Sequence, residues 1–181
     1  MPPLTATEAA LLGQLSRREG SGYEISKDIE RGVGFFWSPA RSGIYAVLPR
    51  LVEKGYASRE EVRQSGRPDK QVYRITREGK AALRQWLEEA PLEPDTSKNP
   101  FLLKLFFGAL MQPESVVELV RARKRMAEDA LARLRAIEGD ILAEGRQSDF
   151  SYFTLKWGLE YYEAMIRWAD ATLDELEARY A

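Results

Sequence analysis

The chain has 181 residues, of which 44% are hydrophobic and 30% are charged, a composition typical of one or two folded domains. It contains neither cysteine nor histidine, which excludes disulfides, thiolate metal sites and catalytic sites that need a Cys or His side chain. The net charge of −1 conceals a basic segment at residues 41–84, with 11 Lys and Arg against 5 Asp and Glu, typical either of nucleic-acid binding or of a solvated surface.

The sequence offers no segment for insertion into a membrane or transport across one. No apolar run reaches the roughly 18 residues that a transmembrane helix needs, and the N-terminal stretch lacks the basic and apolar regions of a secretory signal. No short motif suggests catalysis by carboxylates or lysine, and none indicates a metal or another cofactor. We therefore expect a cytoplasmic protein that is not an enzyme and has no cofactor.

Two helices are predicted at the start of the chain. Residues 5–18 repeat apolar side chains near the helical period, and Thr5 or Thr7 can cap this first helix. The segment "REGSGY" interrupts the pattern, and residues 23–31 then form a second helix. Its predicted apolar side comprises Tyr23, Ile25, Ile29 and Val33.

A third helix is predicted from Pro39 to Lys54. Ser38 is a good capping residue, proline is favoured at the first helical position, and Gly55 is a natural C-terminal stop. At about 100° per residue, the apolar side chains gather on one side of this helix. That buried side comprises Ile44, Val47, Leu48, Leu51 and Val52.

A small hairpin follows, because residues 57–63 and 70–75 have the pattern of two strands. A fourth helix begins at Thr76 and extends to about Ala90. Three helices followed by a two-stranded hairpin make a winged helix-turn-helix, with Arg67 at the tip of the wing.

The third helix is then the predicted recognition helix. Its outward side is small and polar and has no carboxylate before Glu53, as entry into a DNA major groove requires. The alternative is an exposed helix of a small bundle. The predicted DNA-binding residues are Arg41, Ser42, Tyr45, Pro49 and Arg50 on the helix and Arg63, Arg67 and Lys70 on the wing.

The proline-rich and polar segment 91–100 predicts a boundary between two domains. Residues 1–91 would form the winged helix-turn-helix DNA-binding domain, and residues 92–181 a helical dimerisation domain. In the second domain we predict a short, mostly buried helix at about 101–111, a long helix from 113 to 141 and a last helix from 150 to 180. The fold class is thus mostly α.

The last helix has two apolar seams, although a surface helix needs only one. The long helix before it can cover one seam, and a second copy of the chain, or else the N-terminal domain, would cover the other. The first seam comprises Leu155, Leu159, Tyr162, Ile166, Ala169, Leu173, Leu176 and Tyr180. The second comprises Phe150, Trp157, Tyr161, Ala164, Trp168 and Ala171. The seam predicted on the preceding helix comprises Val116, Val120, Ala127, Ala130, Leu134, Ile137 and Ile141.

Residues 8–87 resemble the PadR family of bacterial transcription regulators, which is named for a phenolic-acid-responsive repressor. The resemblance rests on "GYEI" at 22–25, "GIY" at 43–45 leading to Leu48, Arg50 and Leu51, and "YRIT" at 73–76 followed by Gly79. The second half resembles the long helical C-terminal domain of one branch of that family. The resemblance implies a homodimeric repressor that binds a palindromic operator in double-stranded DNA and pairs through its C-terminal helices.

The aromatic side chains raise the question of an effector. In regulators of this kind, aromatic residues between the two domains can bind flat apolar ligands, whereas aromatics at helical spacing otherwise form cores. Trp37, Trp86, Trp157 and Trp168 are the candidates for a small aromatic effector. The alternative to DNA binding is a winged-helix module for protein–protein interaction, and the basic segment favours DNA.

Overall fold

The structure is a computed structural model that describes residues 4–37, 39–63, 69–92 and 98–180. The chain divides into two units, Met1–Pro94 and Asp95–Ala181. Within the described residues, the first unit has four α-helices and one antiparallel strand pair, and the second has three α-helices. The elements are α1 (Ala6–Arg17), α2 (Gly22–Arg31), α3 (Arg41–Glu53), β1 (Ala57–Val62), β2 (Lys70–Ile75), α4 (Arg77–Glu89), α5 (Pro100–Phe106), α6 (Pro113–Ala143) and α7 (Phe150–Tyr180).

The starts of α1 and α2 are fixed by capping boxes, in which the capping hydroxyl and a glutamate three residues later exchange hydrogen bonds with the backbone. Thr5 caps α1, as predicted, and Ser21 caps α2. The predicted start of α3 at Ser38 and Pro39 is wrong: α3 begins at Arg41 after an extended Ala40, without a side-chain cap. Ser38 itself lies outside the described residues.

The core of the first unit lies between α1, α2, α3 and the hairpin. The apolar side predicted for α3 is buried, except that Val52 is only partly covered. On α2 the prediction is wrong for Tyr23, which is 60% exposed and points away from the core. The largest fully buried side chains are Leu11, Leu12, Ile25, Ile44, Leu48 and Leu51.

The end of α3 is fixed by a glycine conformation and by an ion pair. Gly55 has φ +73°, a left-handed conformation that glycine adopts at low cost, and it ends the helix as predicted. Lys54 Nζ donates to Glu8 Oε1 at 2.6 Å, while Glu8 Oε2 accepts from the Thr5 amide at 3.0 Å. The side chain that completes the α1 capping box therefore also anchors the last turn of α3.

The hairpin pairs Ala57 with Ile75 at its base and Val62 with Lys70 at its outermost rung. Its base is held tightly, because a Cβ added to Gly79 of α4 would lie 2.0 Å from the Tyr56 carbonyl oxygen. The predicted wing tip, Arg67, lies outside the described residues.

In the second unit α6 and α7 pack antiparallel. The direction follows from the ion pairs Arg121–Glu177 and Arg135–Glu163, both at 3.0 Å, because the partner number falls as the α6 number rises. The first seam of α7 contributes the buried Leu155, Leu159 and Ala169 to this packing. The α6 seam is buried as predicted except for Ile137, which is 37% exposed.

Two apolar surfaces of the second unit are open in this chain. The prediction of a mostly buried helix near 101–111 is wrong, since its apolar side chains are largely exposed at Leu102, Leu103, Phe106, Phe107 and Leu110. On α7 the second seam is open at its N-terminal end, where its residues Phe150 and Trp157 are more than half exposed, as is the neighbouring Phe153. Within the described residues no helix combines the length and the apolar character needed to span a membrane.

Candidate nucleic-acid interface

The outward side of α3 presents small, aromatic and basic side chains to solvent. Ser42, Tyr45, Ala46 and Arg50 are exposed, and Pro49 is half-buried. Arg50 has no ion-pair partner among the residues that the structure describes. A helix with this surface can approach a major groove about 12 Å wide without burying a carboxylate against phosphate.

Tyr45 is seated on α2. A Cβ added to Gly22 would lie 2.7 Å from Tyr45 Cε1, so the ring lies directly against the glycine while half of the side chain remains exposed. Glycine at position 22 is therefore what allows the ring to lie across the start of α2. The packing fixes the ring and leaves the hydroxyl without a partner among the described residues.

Arg41 is held at the start of α3 by a carboxylate of α2. Its Nε and Nη2 both donate to Glu30 Oε1, at 3.2 and 2.8 Å, and Glu30 Oε2 accepts from Lys27 Nζ at 2.9 Å. The hydrogen bond and the charge of Glu30 raise the pKa of Arg41, with weaker contributions from Tyr23 and Tyr45 nearby. One carboxylate thus fixes two cations beside the two exposed tyrosines.

Lys70 is engaged in the same way at the edge of the wing. Its Nζ donates to Glu24 Oε1 at 2.7 Å, while Glu24 Oε2 accepts from the Ser21 amide and hydroxyl, both at 2.9 Å. The hydrogen bond from Lys70 and those from Ser21 lower the pKa of Glu24 to about 2. The carboxylate is therefore ionised across the physiological range, and Lys70 is not a free cation.

The other cations of the hairpin differ in whether an ion pair already occupies them. Arg74 is bound to Glu19 and, at 3.1 Å, to Glu60. Arg63, just beyond β1, is exposed and has no ion pair within the described part of the chain. Of the three predicted wing contacts, Arg63 is thus available to a ligand, Lys70 is paired and Arg67 lies outside the described residues.

The four tryptophans proposed for an effector are divided between the units. Trp86 packs against the core of the first unit, and Trp37 is partly exposed after a short 3₁₀ turn at Val33–Phe35. In the second unit Trp157 stacks on Tyr161 with ring centroids 5.4 Å apart, and Trp168 meets Phe101 edge-on at 5.8 Å. Neither unit by itself brings all four together.

A groove of about 370 Å³ lies in the second unit between α5, α6 and α7. Arg123 contributes a guanidinium that lies 5.6 Å from the Phe101 ring centre, and its buried Nε has no hydrogen-bond partner within the described structure. The sequence prediction included Trp168 and missed the others. The lining comprises Asn99, Phe101, Leu102, Arg123, Tyr161, Ala164, Met165 and Trp168.

The carboxylates of α2 were also missed, because their partners are distant in sequence. Glu24 and Lys70 are 46 residues apart, and Glu30 and Arg41 are 11 apart on different helices. One signal was present: "SGYE" at 21–24 is a capping box, which fixes the Glu24 carboxylate at the start of α2.

Two family models match successive parts of the chain. The transcriptional regulator PadR-like family matches residues 11–85, and the virulence activator alpha C-terminal domain matches residues 97–177. Among curated proteins, the negative transcriptional regulator PadR of Bacillus subtilis is 28% identical over 170 residues, which cover 91% of this chain and 93% of that protein.

Solved structures give the same result. The crystal structure of Bacillus subtilis PadR in complex with operator DNA matches with a TM-score of 0.86 and 26% identity, covering 96% of this chain and 99% of that one. The structure of the same protein in complex with p-coumaric acid matches with a TM-score of 0.74 and 25% identity, covering 96% and 98%. The winged helix-turn-helix with C-terminal helices predicted from the sequence is confirmed, and the family match at residues 11–85, the curated relative and the solved structures together support a PadR family transcriptional regulator, a family that does not consist of enzymes.

Proposed function

We propose that this protein is a homodimeric repressor that binds a palindromic operator through α3 and the wing. The observation that carries the proposal is the outward face of α3. It exposes a hydroxyl, an aromatic ring, a methyl group and Arg50, which forms no ion pair with any described residue, and it has no carboxylate before Glu53. The similarity to a regulator crystallised with operator DNA supports the same use of the helix.

In this proposal Ser42 and Ala46 meet base edges, whereas Tyr45 and the arginines meet phosphates. Hydroxyl and methyl groups suit base edges, and guanidinium groups suit phosphate oxygens. Arg41, Arg50 and Arg63 carry the phosphate contacts, and Arg67, which lies outside the described residues, stays a predicted contact. Lys70, although predicted as a contact, is bound to Glu24 and contributes indirectly.

The test compares two equal charge reversals. Arg50→Glu on α3 and Arg84→Glu on the exposed side of α4 change the net charge by the same amount. Binding to duplex DNA is measured by fluorescence anisotropy at several salt concentrations. Arg50→Glu should nearly abolish binding and Arg84→Glu should reduce it only slightly. Equal losses would mean that α3 does not face DNA, and no salt-dependent binding by the wild type would favour a protein-interaction module.

We assign dimerisation to the open apolar surfaces of the second unit. Phe150 is 86% exposed, and Phe153 and Trp157 are also mostly open. Three large aromatic side chains along one side of a helix form an apolar surface that a single chain leaves in water, and such surfaces mark association sites. The symmetry of a palindromic operator would require this pairing of two chains.

We assign effector binding to the groove that contains Arg123. An aromatic acid would lay its ring against the contacting Phe101 and Trp168 side chains and place its carboxylate on the guanidinium, whose Nε lacks a partner within the described residues. Bacillus subtilis PadR was crystallised with p-coumaric acid, an aromatic carboxylic acid, which supports this ligand class.

The ligand assignment is tested by titrating p-coumaric acid into the full-length protein and measuring heat and tryptophan fluorescence. Arg123→Met should remove binding, because it keeps the length of the side chain and removes its charge. Arg133→Met, at an exposed position of the same helix, should bind like the wild type. Equal affinities of the two variants would place the acid elsewhere.

A further inference from the structure

The connection between α1 and α2, together with the first turn of α2, holds the wing at several successive points. Glu19 binds Arg74, and the backbones of Gly20 and Tyr73 exchange hydrogen bonds of 3.2 and 2.9 Å. Farther out along β2, Glu24 binds Lys70 at 2.7 Å. The contacts therefore run from the rung next to the base of the hairpin, at Arg74, to its outermost paired rung, at Lys70.

The outer half of the hairpin has little apolar packing of its own. β1 is exposed at every position after Ala57, and on β2 the buried residue is Tyr73. A two-stranded hairpin is marginally stable without such packing. The Lys70–Glu24 ion pair, on the outermost rung, is consequently well placed to set the direction in which the outer half of the hairpin points.

Glu24 is itself fixed through both oxygens of its carboxylate. One carboxylate oxygen accepts two hydrogen bonds from Ser21 within the capping box, and the other accepts the ammonium of Lys70. A side chain held at both ends of its carboxylate defines where its partner lies, because neither group can rotate away without losing a charge-assisted bond.

We propose that Glu24 is a positioning residue for the wing, acting through Lys70 to orient the hairpin for DNA. The inference rests on the proposed function of the winged helix. It reassigns Lys70 from a phosphate contact to a structural partner of Glu24. The wing then meets DNA through cations beyond this rung, such as Arg63.

Substitution of Glu24 distinguishes two roles of Lys70, as a structural partner of Glu24 or as a phosphate contact, because the two roles predict opposite changes in DNA affinity. Glu24→Gln keeps an oxygen for the capping box and removes a negative charge from the DNA-binding unit. If Lys70 were a phosphate contact masked by Glu24, the variant would bind DNA more tightly. Positioning instead predicts a loss of operator affinity of about tenfold, the order of one misplaced charge-assisted contact.

Glu61→Gln is the matched control. Glu61 lies exposed on the same hairpin, has no ion pair in the described structure, and makes the same change of charge. Its removal should raise affinity for operator and random DNA slightly. The double variant Glu24→Gln with Lys70→Gln should bind the operator no more weakly than Glu24→Gln alone, because both changes break one contact.

A second measurement does not depend on DNA. The chain has no cysteine, so spin labels at Ser16→Cys on α1 and Val62→Cys, which lies opposite Lys70 on the outermost rung of β1, are unique. The full-length protein is mixed with excess unlabelled chain, so that distances within one subunit dominate. Glu24→Gln should shift or broaden the distance distribution, and Glu61→Gln should not.

Higher operator affinity of Glu24→Gln with an unchanged label distance would overturn the proposal and restore Lys70 as a phosphate contact. Unchanged affinity and distance would also overturn it. If the wild type bound no operator but the label distance still changed, the assignment of DNA binding would fail while the role of Glu24 in the wing would stand.

Discussion

α3 and α7 each bury one side and expose the other, but they expose opposite kinds of surface. The open side of α3 presents small, hydroxylated and basic residues, whereas the open end of α7 presents Phe150, Phe153 and Trp157. The first surface suits a hydrated, charged polymer, and the second suits another apolar protein surface. Exposure alone therefore does not define a site, since the chemistry of the exposed groups selects the class of partner.

The largest expected effect on operator affinity comes from disrupting the exposed aromatic surface of α7. Trp157→Glu places a charge in the proposed dimer contact without disturbing the chain core, because Trp157 is 61% exposed. Sedimentation should show a monomer, and operator affinity should fall by about 10²–10⁴-fold with the loss of bivalent binding. Lys156→Glu, one residue earlier and exposed, should remain dimeric. A dimeric Trp157→Glu would show that α7 does not hold the subunits together.

The next effect sharpens the role of α3. Tyr45→Phe keeps the ring that rests on Gly22 and removes only the hydroxyl. Loss of a hydrogen bond to a charged phosphate should weaken binding by roughly 1.5–3 kcal/mol per half-site. The melting temperature should not change. A lower melting temperature with intact operator binding would instead make Tyr45 a structural residue.

A smaller effect of opposite sign is expected at Glu30. Glu30→Gln releases Arg41 and Lys27 from a shared carboxylate, so affinity for random DNA should rise a few-fold and become more dependent on salt. Glu118→Gln, which breaks an exposed ion pair with Arg125 in the second unit, is the control. It should change neither the affinity for random DNA nor the salt dependence of binding. Weaker binding of random DNA by Glu30→Gln would mean that the carboxylate orients Arg41 productively.

The smallest effect concerns acid stability of the first unit. Burial would raise the pKa of Glu8, but hydrogen bonds from Lys54 and Thr5 lower it below 4.5 overall. A lowered folded-state pKa stabilises the fold above the unfolded value and loses that contribution as pH falls below about 4.5. Glu8→Gln should therefore be less stable at pH 7, by about 1 kcal/mol, and approach the wild type in acid. Urea unfolding of the variant and the wild type at pH 7 and pH 3 measures the difference in their free energies of unfolding. An equal difference at the two pH values would contradict the assigned role of the Glu8 carboxylate.

The sequence predicted regular elements well where a local pattern determined them. The bounds of α7 were predicted as 150–180 because its two overlapping seams together extend from Phe150 to Tyr180. The predicted start of α3 was wrong by two residues, since the helix begins at Arg41 rather than at Pro39, and the cap-and-proline pattern in the sequence does not by itself determine where the helix starts.

Errors of burial have another cause. Tyr23 and the apolar residues of α5 look like core residues because periodicity reports hydrophobic character and not what covers it. The pairing of Lys70 with Glu24 was unpredictable for a related reason: it joins residues 46 positions apart, and only the folded hairpin brings them together. The basic charge of the segment was visible in the sequence, but which cations remain free was not.

The central claim is that two copies of α3 read a two-fold symmetric DNA site. The most direct measurement is selection of bound sequences from random duplex DNA by the full-length protein, repeated with Ser42→Ala. Two-fold symmetric binding predicts an inverted repeat with half-sites about 10 base pairs apart, centre to centre, or a multiple of that spacing. Ser42→Ala should relax the sequence preference within each half-site. Enrichment of an unsymmetrical site, or of no sequence at all, would contradict the central claim.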